Sequence, residues 1–175
     1  QEPDGFFRIE EEQISGINRR IEELQEEERY KDCKRWLADE TIFAGQVLDE
    51  MRCRMKAAKA ERDRQRSTDT LGDPEWLIRE SQFQKAELKR QKQYWKNRLA
   101  SLQAEIEAYD MEIERLRTER KTRSAALQQW LFKQFRMLNA LGEEQDLCDL
   151  FKDTVQKTPP AGAGECAAPK LLQYA

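Results

Sequence analysis

The stretch WKNRLASLQAEIEAYDMEIERL, residues 95–116, decides the fold. Its apolar positions are Trp95, Leu99, Leu102, Ile106, Tyr109, Ile113 and Leu116, spaced alternately four and three residues apart. That alternation places all seven on one stripe of a long helix, and a stripe this narrow is a coiled-coil seam. The register continues through Arg120, Arg123, Leu127, Trp130, Gln134, Met137 and Leu141, with three polar interruptions. Gly142 follows, where a left-handed residue would stop a helix. Upstream, Asp73-Pro74-Glu75 reads as a helix start: a capping carboxylate, a proline at the first position and an acid facing the helix dipole. The predicted helix therefore spans 74–141, on the order of 100 Å.

A seam of that length needs a partner. Residues 10–66 supply one. Ile14, Ile17, Ile21 and Leu24 share a helix face, and Tyr30, Cys33, Leu37, Ala44, Leu48, Met51, Met55 and Ala58 form a second run out of phase with the first. The offset predicts a kink, a short loop or a stutter near residues 25–30. Ser67 to Asp73 is polar and contains Gly72, so 67–73 reads as a loop. A short loop makes its two flanking helices antiparallel neighbours. The expected fold is all-α: a long antiparallel coiled-coil hairpin, with residue i of the first arm near residue 140 minus i of the second. Self-association of one arm across a dimer would bury the same seam.

Residues 1–9 begin with turn formers and are expected to form an N-terminal turn. Leu147, Leu150, Phe151 and Val155 predict a short helix within 143–157. Residues 158–175, opening Thr158-Pro159-Pro160, read as a linker and the start of a following unit. Absence of an initiator Met at Gln1 adds the expectation of a piece of a longer protein.

Composition agrees with a thin core. Charged residues make up 37% of the 175 positions and hydrophobic ones 38%, while Gly and Pro number seven and five. Such a balance suits long solvated helices better than a globular centre. No apolar run reaches the roughly 20 residues of a membrane span. Cys33, Cys53, Cys148 and Cys166 show no C-x-x-C spacing and there is no His, so a zinc site is not expected. Cys33 and Cys53 would lie about 30 Å apart on one helix, too far for a disulfide. Unpaired thiols without an export signal fit the cytoplasm.

Catalytic chemistry is not expected from these residues. Nucleophile pairs that rely on His are impossible, and no phosphate-binding glycine loop occurs. The carboxylate runs Glu10-Glu11-Glu12 and Glu26-Glu27-Glu28 lack a cleft that would shift their pKa. No cofactor is implied.

Charge distribution is more informative. Residues 51–66 carry seven basic side chains against Glu61 and Asp63, and residues 79–98 carry seven against Glu80 and Glu87. Antiparallel arms would bring these stretches together. Arg52, Arg54, Lys56, Lys59, Arg62, Lys85, Lys89, Arg90, Lys92 and Lys96 are the candidates for contact with a phosphate backbone. Phe83, Tyr94 and Trp95 lie among them, and aromatics stack on unpaired bases. Trp95 is a seam residue, which favours a core role. The plain alternative is a solvated coiled-coil face, because Arg and Lys are ordinary helix formers. At the seam positions Arg120 and Arg123, pairing with Glu22, Glu23 or Asp4 would fix the register.

Three stretches taken together carry a resemblance: Pro3-Asp4-Gly5-Phe6-Phe7-Arg8-Ile9, Arg79-Glu80-Ser81-Gln82-Phe83-Gln84-Lys85-Ala86-Glu87, and the tail from Thr158-Pro159-Pro160 through Gly164-Glu165-Cys166-Ala167-Ala168-Pro169-Lys170 to Tyr174. With Arg123-Ser124-Ala125-Ala126-Leu127-Gln128-Gln129, the chain resembles the extension preceding the catalytic domain in a bacterial group of RluA-like RNA pseudouridine synthases. The resemblance implies an accessory region of an isomerase that converts uridine to pseudouridine without a cofactor. Its partners would be structured RNA and its own catalytic domain. The family's catalytic Asp sits in an Arg-Leu-Asp motif, which this chain lacks; Leu48-Asp49 follows Val47. The fragment alone is therefore expected to be inactive. A structural or dimerisation coiled coil that touches no nucleic acid is the alternative.

Overall fold

A computed structural model of the chain describes residues 3–67, 74–138 and 142–164, excepting the side chains of Pro3, Asp4, Arg66 and Pro74. The elements are α1 (Pro3–Glu26), α2 (Glu28–Ser67), α3 (Pro74–Gln134), β1 (Arg136–Leu138), β2 (Glu144–Asp146) and α4 (Leu147–Phe151). The fold is all-α apart from the two-stranded ribbon. Of the expected 67–73 loop, only Ser67 is described, and it ends α2; Asp73, Leu141 and the tail with Cys166 also lie outside the described residues.

The chain forms two compact units. One comprises Glu23–Ile113, the other Gln1–Glu22 with Glu114–Ala175. In the first unit α2 and α3 lie antiparallel. Tyr30 stacks on Tyr109 with ring centroids 5.0 Å apart, and Phe43 meets Trp95 at 5.7 Å. Partner numbers fall along α3 as they rise along α2, close to the expected register. Tyr30, Cys33 and Ala44 are buried from α2, and Leu77, Leu102, Ile106 and Ile113 from α3.

The break near 25–30 is a one-residue interruption at Glu27. The step from the buried Leu24 to the buried Tyr30 is one residue short of a heptad, so a continuous helix would turn one of them off the seam. Glu22 and Glu26, and Glu23 and Glu27, stand four residues apart at the break, and like charges at that spacing disfavour an unbroken turn. Lys31 N–H donates to the Glu27 carbonyl at 3.2 Å and so opens the new helix.

In the second unit α1 is antiparallel to the end of α3. Phe6 packs on Trp130 at 5.0 Å. Arg123 pairs with Glu10 at 3.2 Å and also donates to Gln13, while Arg120 donates to Asn18 at 3.0 Å. These partners differ from the expected Glu22 and Glu23, while the Asp4 side chain lies outside the described ones; polar seam residues still meet polar residues of the first arm.

Three boundaries differ from expectation. Residues 3–9 are helical, not a turn, because Phe6 gains an aromatic partner that turn propensity does not anticipate. The long helix ends at Gln134 instead of 141. Beyond it Phe135 and Met137 alternate with the exposed Arg136 and Leu138, a period of two, and β1 pairs antiparallel with β2. Gly142 is left-handed, with φ +79°, but lies between the strands and caps no helix. Within 143–157 the helix is only α4, since Glu144–Asp146 is taken by the ribbon and the Asp146 carboxylate caps the Asp149 N–H.

Gly164 closes this end. It is buried with φ +88°, and a Cβ there would stand 2.8 Å from Leu147 Cδ1 and 2.9 Å from Phe135 Cγ. Gly162 has a similar φ of +79° but open space around it. Gly164→Ala is expected to cost about 2–4 kcal/mol, combining left-handed strain with overpacking, and Gly162→Ala only about 1–2. Hydrogen exchange at Met137 and Gln145 reads the difference. Equal effects of the two substitutions would mean that the close approach of Gly164 to Phe135 and Leu147 does not anchor the segment.

Candidate nucleic-acid interface

Every one of the ten candidate cations lies on α2 or α3 of the Glu23–Ile113 unit. Two lie apart from the rest. Arg54 pairs with Glu50 at 3.5 Å, and Arg90 with Glu87 at 2.6 Å. The Arg90 guanidinium also stands 5.9 Å from the centre of the Phe83 ring. Arg54, Phe83 and Glu87 line one shallow groove between the helices, together with Met51, Met55 and Gln84.

The larger groove collects the others. Arg52, Lys56, Lys59 and Arg62 of α2 face Lys85 of α3 across an open space of about 480 Å³. Asp63 is the acidic residue of its lining. Lys89, Lys92 and Lys96 follow Lys85 at four, three and four residues, so they continue one flank of α3 for about 16 Å. Arg52 pairs with Asp49 on its own helix. Among the described residues, Lys56, Lys59, Arg62 and Lys85 make no ion pair. Eight of the candidates thus share a face, and Arg54 and Arg90 do not.

Trp95 is half-buried, packed edge-on against Phe43 and Tyr94, as a seam residue should be. Its indole N–H is buried without an acceptor among the described residues. Phe83 and Tyr94 are exposed.

The helix pair is held in register by forked ion pairs that the sequence reading did not single out. Arg29 donates from Nε to Glu105 Oε2 at 2.9 Å and from Nη2 to Oε1 at 2.9 Å. Arg98 grips Glu40 in the same way at 2.8 and 2.7 Å. The Cys33 thiol donates to Glu105 at 3.2 Å, and Tyr109 donates to Glu27 at 2.6 Å. Their signal was an opposite charge at each matching seam-flanking position, legible only once the register is known.

These contacts move proton affinities. The Cys33 hydrogen bond, with Arg29 beside it, holds Glu105 below the usual glutamate range, and the Arg98 fork does the same for Glu40. Burial raises the Cys33 thiol, and the Glu27 hydrogen bond raises Tyr109.

Comparison with protein families, with curated proteins and with solved structures finds no match to this chain. Among the described residues, no helix is long and apolar enough to cross a membrane.

A carboxylate with a depressed folded pKa stabilises fully above its unfolded value, near 4.3, and loses that contribution as pH falls through the folded one. Stability is therefore expected to fall in acid, below about pH 4.3. Glu40→Gln with Glu105→Gln should flatten that limb in urea melts run at a series of pH values. A double variant with an unchanged acid slope would show that the forks carry no linkage.

Proposed function

We propose that this chain is an RNA-positioning arm of a larger RNA-modifying enzyme, gripping structured RNA along the face of α2 and α3 that carries Lys56, Lys59, Arg62 and Lys85. The observation that carries the reading is the convergence of these four cations from two helices, with no ion pair among the described residues. A solvated helix face usually neutralises its cations with glutamates one turn away, as Arg54 and Arg90 do here. Cations left unpaired and aligned are available to replace the counterions of a phosphate backbone. Such contacts position an RNA without reading its sequence.

The parent activity in this reading is uridine-to-pseudouridine isomerisation in ribosomal or transfer RNA. It rests on the resemblance of the chain to the extension of RluA-like synthases. A catalytic domain outside this chain would flip and convert the uridine, without a cofactor, in the cytoplasm. The arm's part would be to hold the surrounding RNA.

Fluorescence anisotropy with structured ribosomal RNA fragments across a salt series tests the grip. Affinity is expected to fall steeply with salt. Changing Lys56, Lys59, Arg62 and Lys85 to Glu should abolish binding, and each single Lys→Ala should reduce the salt slope by about 0.7–0.9. Arg54→Ala should bind as the parent does. Absence of binding at low salt, or equal losses from Arg54→Ala and Lys59→Ala, would defeat the assignment.

A further inference from the structure

Outside its inner seam, α3 carries a second stripe with the same spacing. Trp76, Glu80, Phe83, Glu87, Arg90 and Tyr94 recur at four, three, four, three and four residues. Each precedes an inner-seam position by one residue, so the stripe lies about 100° around the helix from the α2 contact. Its aromatics are open to solvent, with Trp76 59%, Phe83 60% and Tyr94 58% exposed. Exposed aromatics at heptad spacing are the mark of a helix face that meets another helix.

Packing within the unit agrees. Among the described residues, no fully buried apolar side chain occurs between Leu77 and Leu102 on α3, or on α2 after Ala44. The inner seam there includes Gln84, whose Oε1 is buried without a partner, and Trp95, whose Nε1 is likewise unpaired. This part of the helix pair is underpacked where the outer stripe is richest in aromatics.

The order of residues along the stripe selects the occupant. Turned end for end about a point near residue 85, the stripe meets itself with Trp76 opposite Tyr94, Glu80 opposite Arg90 and Phe83 opposite Glu87. The outer pairs match aromatic with aromatic and acid with base, while the central pair sets Phe83 of each copy against Glu87 of the other. An isologous interface requires this self-complementarity. Arg90 is already held over Phe83 by Glu87, and Gln84 donates to Glu80 at 2.8 Å, so both charges are largely ordered before association. We infer that the outer stripe of α3 is a homodimer interface, in which a second copy of this chain packs antiparallel with Glu80 of each copy against Arg90 of the other. The inference stands apart from the RNA reading, since the stripe includes none of the groove cations Lys56, Lys59, Arg62 and Lys85.

Sedimentation velocity and light scattering on the whole chain test it, with circular dichroism confirming that each variant keeps its helix content. The mass is expected to double with rising concentration. Phe83→Glu with Tyr94→Glu should leave a monomer. Glu80→Arg alone and Arg90→Glu alone should each weaken dimerisation at least about tenfold, and Glu80→Arg with Arg90→Glu should restore it, because the two charges exchange places across the axis. A monomer at every concentration overturns the inference. So does a dimer insensitive to these changes, or a double variant no better than its singles. A monomer that binds oligouridylate and loses it with Phe83→Ala would make the stripe a base-stacking platform instead.

Discussion

The constraint on which this chain depends is the register of α2 against α3, and the fork from Arg29 to Glu105 is its clearest expression. A seam repeating every three and four residues is nearly the same after a shift of seven, so apolar packing alone discriminates weakly among alignments. Forked contacts do not survive such a shift. Arg29 meets Glu105 and Arg98 meets Glu40 in a single alignment, which also sets Cys33 against Glu105 and Tyr30 against Tyr109. Exposed ion pairs add little to stability, so their contribution here is to choose the alignment while Leu102, Ile106 and Ile113 supply the burial. The interruption at Glu27 belongs to the same constraint. By dropping one residue from the phase, it brings Tyr30 and Cys33 onto the seam without moving Ile21 and Leu24 off theirs.

The seam itself was legible in the sequence because its signal is local and repeated. Leu99 to Leu116 states the period five times over, and no nearby alternative competes. The end of α3 was not legible. Gln134, Met137 and Leu141 keep the heptad spacing by number, yet Phe135 and Met137 also fit a strand. What decides between them is distant: Gly164 comes close to Phe135, and Glu144–Asp146 offers a strand to pair with. The first residues failed for a similar reason. Pro3-Asp4-Gly5 reads as a turn until Trp130 supplies a ring for Phe6. Local propensity gave way to tertiary contact at both ends of the described chain.

For the candidate interface, the sequence revealed where positive charge is concentrated but not which side of the helix pair each cation takes. Arg52 and Arg54 are two residues apart and belong to opposite flanks. Lys89 and Arg90 are adjacent, yet one continues the lysine flank and the other lies against Phe83. Summed charge treats such neighbours as equivalent, and helical phase separates them. Arg54 and Arg90 on one side have glutamate partners, whereas Lys56, Lys59, Arg62 and Lys85 make no ion pair among the described residues, a distinction that net charge cannot express.

Two faces of one helix pair therefore differ in kind. One flank presents lysines that resist close approach of another positive surface and attract a polyanion. The other alternates aromatic, acidic and basic residues, a pattern that repels its own copy in parallel and accepts it antiparallel. Because the lysines lie on the flank away from the outer stripe, association through that stripe would leave them exposed in both copies. Two basic tracks carried by one particle raise the effective concentration of the second contact on a long ligand. On the proposed reading, a modest grip from unpaired lysines would then gain strength from geometry, without any base-specific contact. The underpacked part of the inner seam fits this arrangement, since a helix pair completed by a neighbour needs less core of its own.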